Sequence, residues 1–162
     1  MCERLQVANQ IRKENPDHRL HPIRDGVKIL VAEDDPDNRA LIGAFLKNEN
    51  VRITFCENGQ VAFDNYQKET GDYDLILTDI QMPVMNGFQL IHAIRSHEHG
   101  KNFPPTPIVA FTADAQYEQI SNVMRLGANE YITKPLSKEK LRMTISRYQN
   151  LKTALKPGLI SG

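Results

Sequence analysis

The sequence has few cysteines, no excess charge of either sign and no long apolar segment. Cys2 and Cys56 are its only cysteines, too few and too far apart for a disulfide framework or a zinc knuckle. The 20 basic and 20 acidic residues cancel, so no overall field attracts nucleic acid or an anionic membrane. The apolar runs are far shorter than a membrane span, and the N-terminus lacks a signal peptide's apolar core. We therefore expect a cytoplasmic protein without nucleic-acid or direct membrane contact.

The length of 162 residues suits one domain. Residues 1–26 are mostly polar and include Pro16 and Pro22, so they are predicted to be an extension or linker. The domain itself is expected over residues 27–150. The tail, residues 151–162, is too short for a helix-turn-helix or another output domain.

Apolar stretches alternate with amphipathic ones throughout the predicted domain. The run Val27–Ala32 reads as a buried strand, after which Asp35 can cap a helix and Pro36 suits its first position. This unit recurs, which favours a doubly wound α/β fold whose parallel sheet is covered on both faces. The later predicted strands are 51–56, 75–77, 108–111 and 131–132, and the helices are marked by Leu41, Ala44 and Phe45; Val61, Ala62 and Tyr66; Leu90, Ile91 and Ile94; Ile120, Val123 and Met124; and Leu141 and Ile145 after a Ser137 cap.

Polar residues follow the predicted strands at their carboxyl ends, which is where open parallel sheets bind ligands. Glu33 and Asp34 follow the first strand, Asp79 ends the third, and Thr112 and Lys134 follow the fourth and fifth. Crowded carboxylates repel one another and favour a bound cation. Oxygen ligands of this kind suit Mg²⁺, whereas the lack of a nearby thiolate or paired imidazole disfavours zinc.

Each of these residues has a plainer interpretation when taken alone. Glu33 and Asp34 could be a solvated helix cap, and Lys134 a surface charge. Their joint occurrence at successive strand ends instead favours phosphoryl transfer. A carboxylate can act as the nucleophile and form an acyl phosphate. A metal ion and an ammonium group can neutralise the transferring oxygens, and a hydroxyl can donate a hydrogen bond to one of them.

Four fragments, in this order, resemble the response-regulator receiver domains of two-component signalling. The resemblance covers about residues 27–150 and implies a flavodoxin-like (βα)5 fold with strand order 2-1-3-4-5. The fragments are Ile-Leu-Val-Ala-Glu-Asp-Asp at 29–35, Leu-Thr-Asp-Ile-Gln-Met-Pro-Val-Met-Asn-Gly at 77–87, Ala-Phe-Thr-Ala at 110–113 and Tyr-Ile-Thr-Lys-Pro at 131–135.

The resemblance implies a role for each matching position of the acidic site. Asp79 would accept a phosphoryl group from a phosphohistidine on a histidine kinase or a histidine phosphotransfer domain. Asp34 and Asp79 would bind Mg²⁺, which Mn²⁺ could replace. The backbone carbonyl of Gln81 would be a third protein ligand, and Glu33 would act through water. Lys134 would contact the phosphoryl group.

The resemblance also implies a switch. Thr112 would swing toward the phosphoryl group and Tyr131 would follow inward, which would change a surface at about residues 115–149 that regulates a downstream protein or a phosphorylation-linked dimer. Gln81 and Asp114 would flank the attacking water and tune the phosphate lifetime. Two structural positions are also implied, a cis peptide bond before Pro135 and a turn at Gly87.

Two alternative functions are a phosphatase and a degenerate receiver. A phosphatase that forms an aspartyl phosphate would carry a second Asp two positions after Asp79, where this chain has Gln81. A degenerate receiver would act only as a binding module, but its acidic residues are intact here. We expect a receiver that catalyses its own phosphorylation and dephosphorylation, either standing alone or forming a segment of a hybrid histidine kinase. His92, His97 and His99 are interpreted as a solvated polar loop.

Overall fold

A computed structural model of the chain describes residues 22–23, 26–101, 104–149 and 151. Most of the predicted extension and almost all of the predicted tail lie outside these residues. Within the part described, no helix combines the length and the apolar character needed to cross a membrane. The strands are β1 (Val27–Ala32), β2 (Val51–Cys56), β3 (Leu75–Asp79), β4 (Ile108–Thr112) and β5 (Glu130–Thr133), and the helices are α1 (Pro36–Phe45), α2 (Gly59–Lys68), α3 (Gly87–His99), α4 (Tyr117–Leu126) and α5 (Lys138–Tyr148).

The described strands form one parallel sheet in the order β2-β1-β3-β4-β5. This confirms the predicted (βα)5 fold and its strand order. Every residue of β3 and β4 is buried, which explains why these strands read as continuous apolar runs rather than alternating ones. The strand order reverses beside β1, so the carboxyl ends of β1 and β3 flank the expected ligand crevice.

Apolar side chains fill both faces of the sheet. On one face Leu30 and Ile76 pack with residues of α2, α3 and α4. On the other face Ile29 and Leu77 pack with residues of α1 and α5. Successive residues of one strand point to opposite faces, so the same short runs supply both cores. This confirms that the sheet is covered on both sides.

The inward face of α1 differs from the sequence prediction. Leu41 and Ala44 are exposed, whereas Ile42 and Leu46 are buried. Periodicity alone left the phase of this short helix undetermined, because apolar residues occur on more than one of its faces. The helix is oriented by its start at Pro36, where the side chain of Asp35 accepts a hydrogen bond from the backbone of Asp37.

The prediction of a polar loop at His92, His97 and His99 is wrong, because α3 continues to His99. His97 Nε2 lies 2.9 Å from Thr70 Oγ1, and the ring of His97 meets the ring of Tyr66 edge-on with their centroids 5.9 Å apart. His92 and His99 are exposed on the same helix. The sequence pattern missed this contact because Thr70 lies 27 positions away along the chain.

Part of the predicted extension contacts the domain. Ile23 is buried with the α1 and α5 side of the core. The side-chain nitrogen of Gln149 donates a hydrogen bond to the carbonyl of Pro22, with the two atoms 3.1 Å apart. Pro22 and Ile23 therefore contact the domain, on the side of the sheet that α1 and α5 cover.

Candidate active site

Three carboxylates meet at the carboxyl ends of the central strands. Glu33 and Asp34 follow β1, and Asp79 is the last residue of β3. One carboxylate oxygen from each lies within 4.8 Å of the others. Glu33 is fully buried and Asp79 is only 8% exposed, whereas Asp34 is exposed. The cluster therefore has two carboxylates held within the protein and one at the solvent boundary.

Lys134 brings a positive charge to the two buried carboxylates. Its Nζ lies 2.8 Å from Asp79 Oδ2 and 3.1 Å from Glu33 Oε2. Burial alone would lower the pKa of Lys134, but the hydrogen bond and charge of Asp79, joined by those of Glu33, outweigh it and raise that pKa. The lysine therefore stays charged and offsets part of the repulsion between the carboxylates.

The surroundings of Glu33 disfavour the charged form of its carboxyl group. Burial raises the pKa of its carboxyl group, and the nearby charge of Asp79 adds to that effect. A hydrogen bond from the backbone of Asp35 to Glu33 Oε1, 3.0 Å long, and the charge of Lys134 both oppose it. One ammonium group thus faces three carboxylates, an arrangement that favours the presence of an additional cation.

The donor set fits a hard divalent cation. Carboxylate oxygens are the ligands that Mg²⁺ prefers, and the exposure of Asp34 leaves room for the water ligands that Mg²⁺ retains. Asp34 and Gln81 line an open crevice of about 510 Å³ beside the cluster. The backbone nitrogen of Gln81 donates to Asp79 Oδ1 at 3.3 Å, so the turn after β3 contacts the carboxylate that ends the strand.

The hydroxyl of Thr112 is bonded to the loop after β4. Its hydroxyl donates to the carbonyl of Asp114 at 2.5 Å and accepts from the backbone nitrogen of Asp114 at 3.0 Å. Tyr131 is 37% exposed on β5. The structure thus brings Glu33, Asp34, Asp79 and Lys134 together, and it leaves the hydroxyl of Thr112 bonded to the loop between β4 and α4.

Two backbone features position the ends of β3 and β5. A Cβ atom at Gly87 would lie 2.3 Å from the carbonyl oxygen of Asp79 and 2.7 Å from the Cα of Ile80. Only glycine therefore lets α3 begin so close to the strand that carries Asp79. After β5, the peptide bond between Lys134 and Pro135 is cis.

Arg39 is a site residue that the sequence analysis missed. Its Nη1 donates to the carbonyl oxygens of Glu33 and Asp34, at 2.7 and 3.0 Å. A signal was present in the spacing, because a residue in the first turns of α1 can reach back over the loop that precedes the helix. Nothing in the residue type separated Arg39 from the other basic residues of the chain.

The chain is similar to known proteins both in sequence and in fold. The family model described as "Response regulator receiver domain" matches residues 29–146. The 3',5'-cyclic-nucleotide phosphodiesterase regA of Dictyostelium discoideum is 33% identical over 119 residues, which are 74% of this chain and 15% of that protein. The sensor protein GacS of Pseudomonas syringae is 33% identical over 124 residues, which are 76% of this chain and 14% of that protein. The chain therefore spans about a seventh of these two relatives.

A smaller relative matches over most of its own length. It is an uncharacterised 14.6 kDa protein of Leptolyngbya boryana, 34% identical over 120 residues that make up 74% of this chain and 88% of that protein. Among the solved structures, the receiver domain of a sensor histidine kinase from Pseudomonas aeruginosa has a TM-score of 0.67 and 33% identity, covering 77% of this chain and 98% of that one. That receiver was crystallised with a magnesium ion coordinated in its active-site cleft.

A second solved structure shows a receiver with a partner. It contains the Saccharomyces cerevisiae histidine phosphotransfer protein Ypd1 and the receiver domain of its downstream response regulator Ssk1, with a TM-score of 0.74 and 26% identity over 82% of this chain and 95% of that one. The family match covers nearly all of the described sheet and its helices. The chain therefore belongs to the response regulator receiver domain family.

Proposed function

We propose that the chain is a phosphorylation-dependent signalling switch in which Asp79 accepts a phosphoryl group from a phosphohistidine. The observation that carries this proposal is the position of Asp79. It ends a fully buried strand, is only 8% exposed, and lies 2.8 Å from the ammonium group of Lys134. A carboxylate held this way has a fixed orientation and a positive charge beside the place where a phosphoryl group would arrive.

The transfer moves one phosphoryl group between two nucleophiles. A lone pair on one carboxylate oxygen of Asp79 forms the new oxygen–phosphorus bond. The nitrogen–phosphorus bond of the donor breaks, and its electron pair stays on the imidazole. The ammonium group of Lys134 contacts Asp79 and Glu33. After transfer it can contact a phosphoryl oxygen instead and neutralise part of its negative charge. The group is lost in a separate step, hydrolysis: water attacks the phosphorus, the oxygen–phosphorus bond to Asp79 breaks, and Asp79 leaves as a carboxylate while inorganic phosphate is released.

We assign the metal site to Asp34 and Asp79, with the backbone carbonyl of Gln81 as a third protein ligand and with Glu33 acting through water. When bound, Mg²⁺ or Mn²⁺ would neutralise charge on the phosphoryl oxygens. The clustering of the three carboxylates supports this assignment, and so does the magnesium ion in the similar receiver from Pseudomonas aeruginosa.

The switch proceeds through Thr112 and Tyr131. To reach a phosphoryl oxygen, Thr112 must release the carbonyl of Asp114, which costs about 1 kcal/mol for an ordinary hydrogen bond. A charge-assisted bond to the phosphoryl group is roughly twice as strong, so the exchange is favourable. The side chain of Tyr131, which is partly exposed, then turns toward the core. This movement alters the surface at about residues 115–149. Gln81 and Asp114 border the site and set the phosphate lifetime.

The phosphoryl donor is a histidine kinase or a histidine phosphotransfer protein. The complex of Ypd1 with the receiver of Ssk1 supports this donor class, and several relatives are sensor histidine kinases of which this chain matches a small part. The receiver acts either as a stand-alone protein or as a segment of such a kinase. Its output is a contact with a downstream protein or with a second receiver.

The first prediction tests Asp79 as the acceptor. After incubation with Mg²⁺ and acetyl phosphate, the intact mass of the wild-type chain should rise by one phosphoryl group that hydroxylamine removes. Asp79→Asn should show no gain, since the amide is not a nucleophile, and Asp64→Asn, which changes an exposed carboxylate on α2, should behave like the wild type. A phosphoryl group on Asp79→Asn would refute the assignment. A wild type that binds Mg²⁺ but stays unmodified with both acetyl phosphate and phosphohistidine donors would indicate a degenerate receiver.

A further inference from the structure

We propose that Arg39 is a positioning residue that fixes the direction of Asp34 for metal binding. The proposal rests on the metal site assigned above. Arg39 does not face the crevice as a ligand, because its guanidinium group is bonded to backbone carbonyls rather than to a carboxylate. The positioning effect of Arg39 on metal binding is therefore transmitted through the loop that carries Asp34.

The two hydrogen bonds of Arg39 fall on both sides of one residue. The carbonyl of Glu33 belongs to the peptide group before Asp34, and the carbonyl of Asp34 belongs to the peptide group after it. Arg39 Nη1 lies 2.7 and 3.0 Å from these two oxygens. Because each peptide group is planar, holding both planes fixes the backbone torsions of Asp34 and hence the direction in which its side chain projects.

Asp34 depends on this constraint more than the other two carboxylates do. Glu33 is buried and its carboxylate is bonded to Lys134 and to the backbone of Asp35. Asp79 is bonded to Lys134 and to the backbone of Gln81. Asp34 is exposed, so solvent surrounds it and its backbone determines where its carboxylate lies.

The charge of Arg39 has the opposite effect on a metal ion. A guanidinium group beside a cation site repels the cation, so electrostatics alone predict that its removal strengthens Mg²⁺ binding. Loss of positioning predicts that removal weakens Mg²⁺ binding. The two explanations differ in sign, which makes a single affinity measurement decisive.

The experiment is calorimetric titration of the folded chain with Mg²⁺ for the wild type, Arg39→Gln and Arg39→Lys. We expect both variants to bind Mg²⁺ about tenfold more weakly, the lower end of what partners beyond the ligand shell contribute. Arg39→Lys should be at least as weak as Arg39→Gln, because it keeps the repulsive charge and replaces the planar guanidinium group with a strongly hydrated ammonium group on a flexible stem. Lys47→Gln removes an exposed positive charge just beyond α1 and should leave the affinity unchanged.

Two outcomes would overturn the proposal. One is tighter Mg²⁺ binding by Arg39→Gln with no change in Arg39→Lys, which is the purely electrostatic result. The other is wild-type affinity in both variants. Thermal unfolding of each variant verifies that it is folded before titration.

A second measurement needs neither metal nor phosphate. In the metal-free chain, hydrogen exchange of the Asp35 and Asp37 amides, which donate to side chains within the same loop, should be faster in Arg39→Gln. Exchange at Lys140, whose amide is capped by Ser137 on another helix, should be unchanged. If the phosphoryl chemistry of Asp79 failed but these results held, only the proposed function would fall. Unchanged exchange at Asp35 and Asp37 would overturn the positioning role itself.

Discussion

Val84 holds a backbone conformation that valine rarely adopts. Its φ is 68°, and the amide of Met85 donates to the carbonyl of Pro83 across it at 2.8 Å, which closes a tight γ-turn. The side chain is 79% exposed, so little packing offsets the steric cost of about 1–2 kcal/mol for a side chain in the left-handed region. The strain is stored in the loop beside the acidic crevice.

The second prediction concerns this strain. Val84→Asn should raise the free energy of unfolding by about 1 kcal/mol, because Asn adopts a positive φ more readily than a β-branched residue does and the lost side chain is exposed. Val84→Thr keeps the branched Cβ and should change stability little. Urea denaturation measures both. A loss of stability in Val84→Asn would mean that the exposed valine makes a favourable contact that its surface fraction conceals.

Cys56 links one residue to the pH dependence of stability. Burial raises the pKa of its thiol from an ordinary 9.0 to about 11, against a weaker opposing contact from Asn65. Between those two pH values the unfolded chain loses this proton while the folded chain keeps it. The contribution is therefore fully present below pH 9 and is lost as the pH rises toward 11.

The third prediction follows from that sign. In urea denaturation between pH 8 and 10.5, the wild type should lose up to about 2 kcal/mol more than Cys56→Ala as the pH increases. Burial also raises the pKa of Tyr66 and Tyr148, but those groups are common to both proteins and cancel in the difference. Parallel curves for the two proteins would show that the thiol does not titrate as its burial requires.

At the scale of single elements, local chemistry made most boundaries predictable. Asp35, Pro36 and Ser137 have side chains that start helices wherever an amphipathic stretch follows, and the structure starts α1 and α5 there. The strands Val27–Ala32 and Val51–Cys56 have the predicted bounds. These elements were predictable because their signals are carried within a few neighbouring residues.

What the sequence could not supply was the contacts between distant elements. The strand ends predicted that Glu33, Asp34, Asp79 and Lys134 would converge, since parallel strands bring their carboxyl ends to one edge. The bonds of Arg39 to two carbonyls depend on a rotamer and a loop conformation that no local pattern encodes. The phase of α1 was missed for the same reason, because only packing decides which apolar face turns inward.

The sequence analysis also missed a buried polar network near the amino end of β4. Glu98 is only 6% exposed and accepts hydrogen bonds from Tyr66, from the backbone of Thr106 and from Arg95. Glu98 lies in the segment that the sequence analysis interpreted as a solvated polar loop. Its burial is possible because each of these three donors satisfies part of the carboxylate.

At the scale of the whole molecule, the two ends of α4 are bonded differently. Beyond its C-terminus, Arg95 donates to the carbonyl of Gly127 at 3.0 Å and to the side chain of Asn129 at 3.1 Å, and Glu98 holds Arg95 in turn. At its N-terminus, Gln116 makes no side-chain capping bond. The N-terminal end, which lacks a side-chain cap, adjoins the loop to which Thr112 is bonded, so a change at the acidic site reaches α4 at this end.

The fourth prediction is that phosphorylation changes α4 unevenly. In hydrogen exchange of the chain with Mg²⁺ and acetyl phosphate, amides at 113–120 should change protection while those at 127–129 do not, and Asp79→Asn should show neither change. Gln116→Ser adds a capping hydroxyl to an extended residue, worth about 1 kcal/mol, and should reduce the difference by slowing exchange at 117–120 before phosphorylation. Equal changes along the whole helix would show that α4 moves as a rigid unit. The bonds of Arg95 would then not hold its C-terminal end in place.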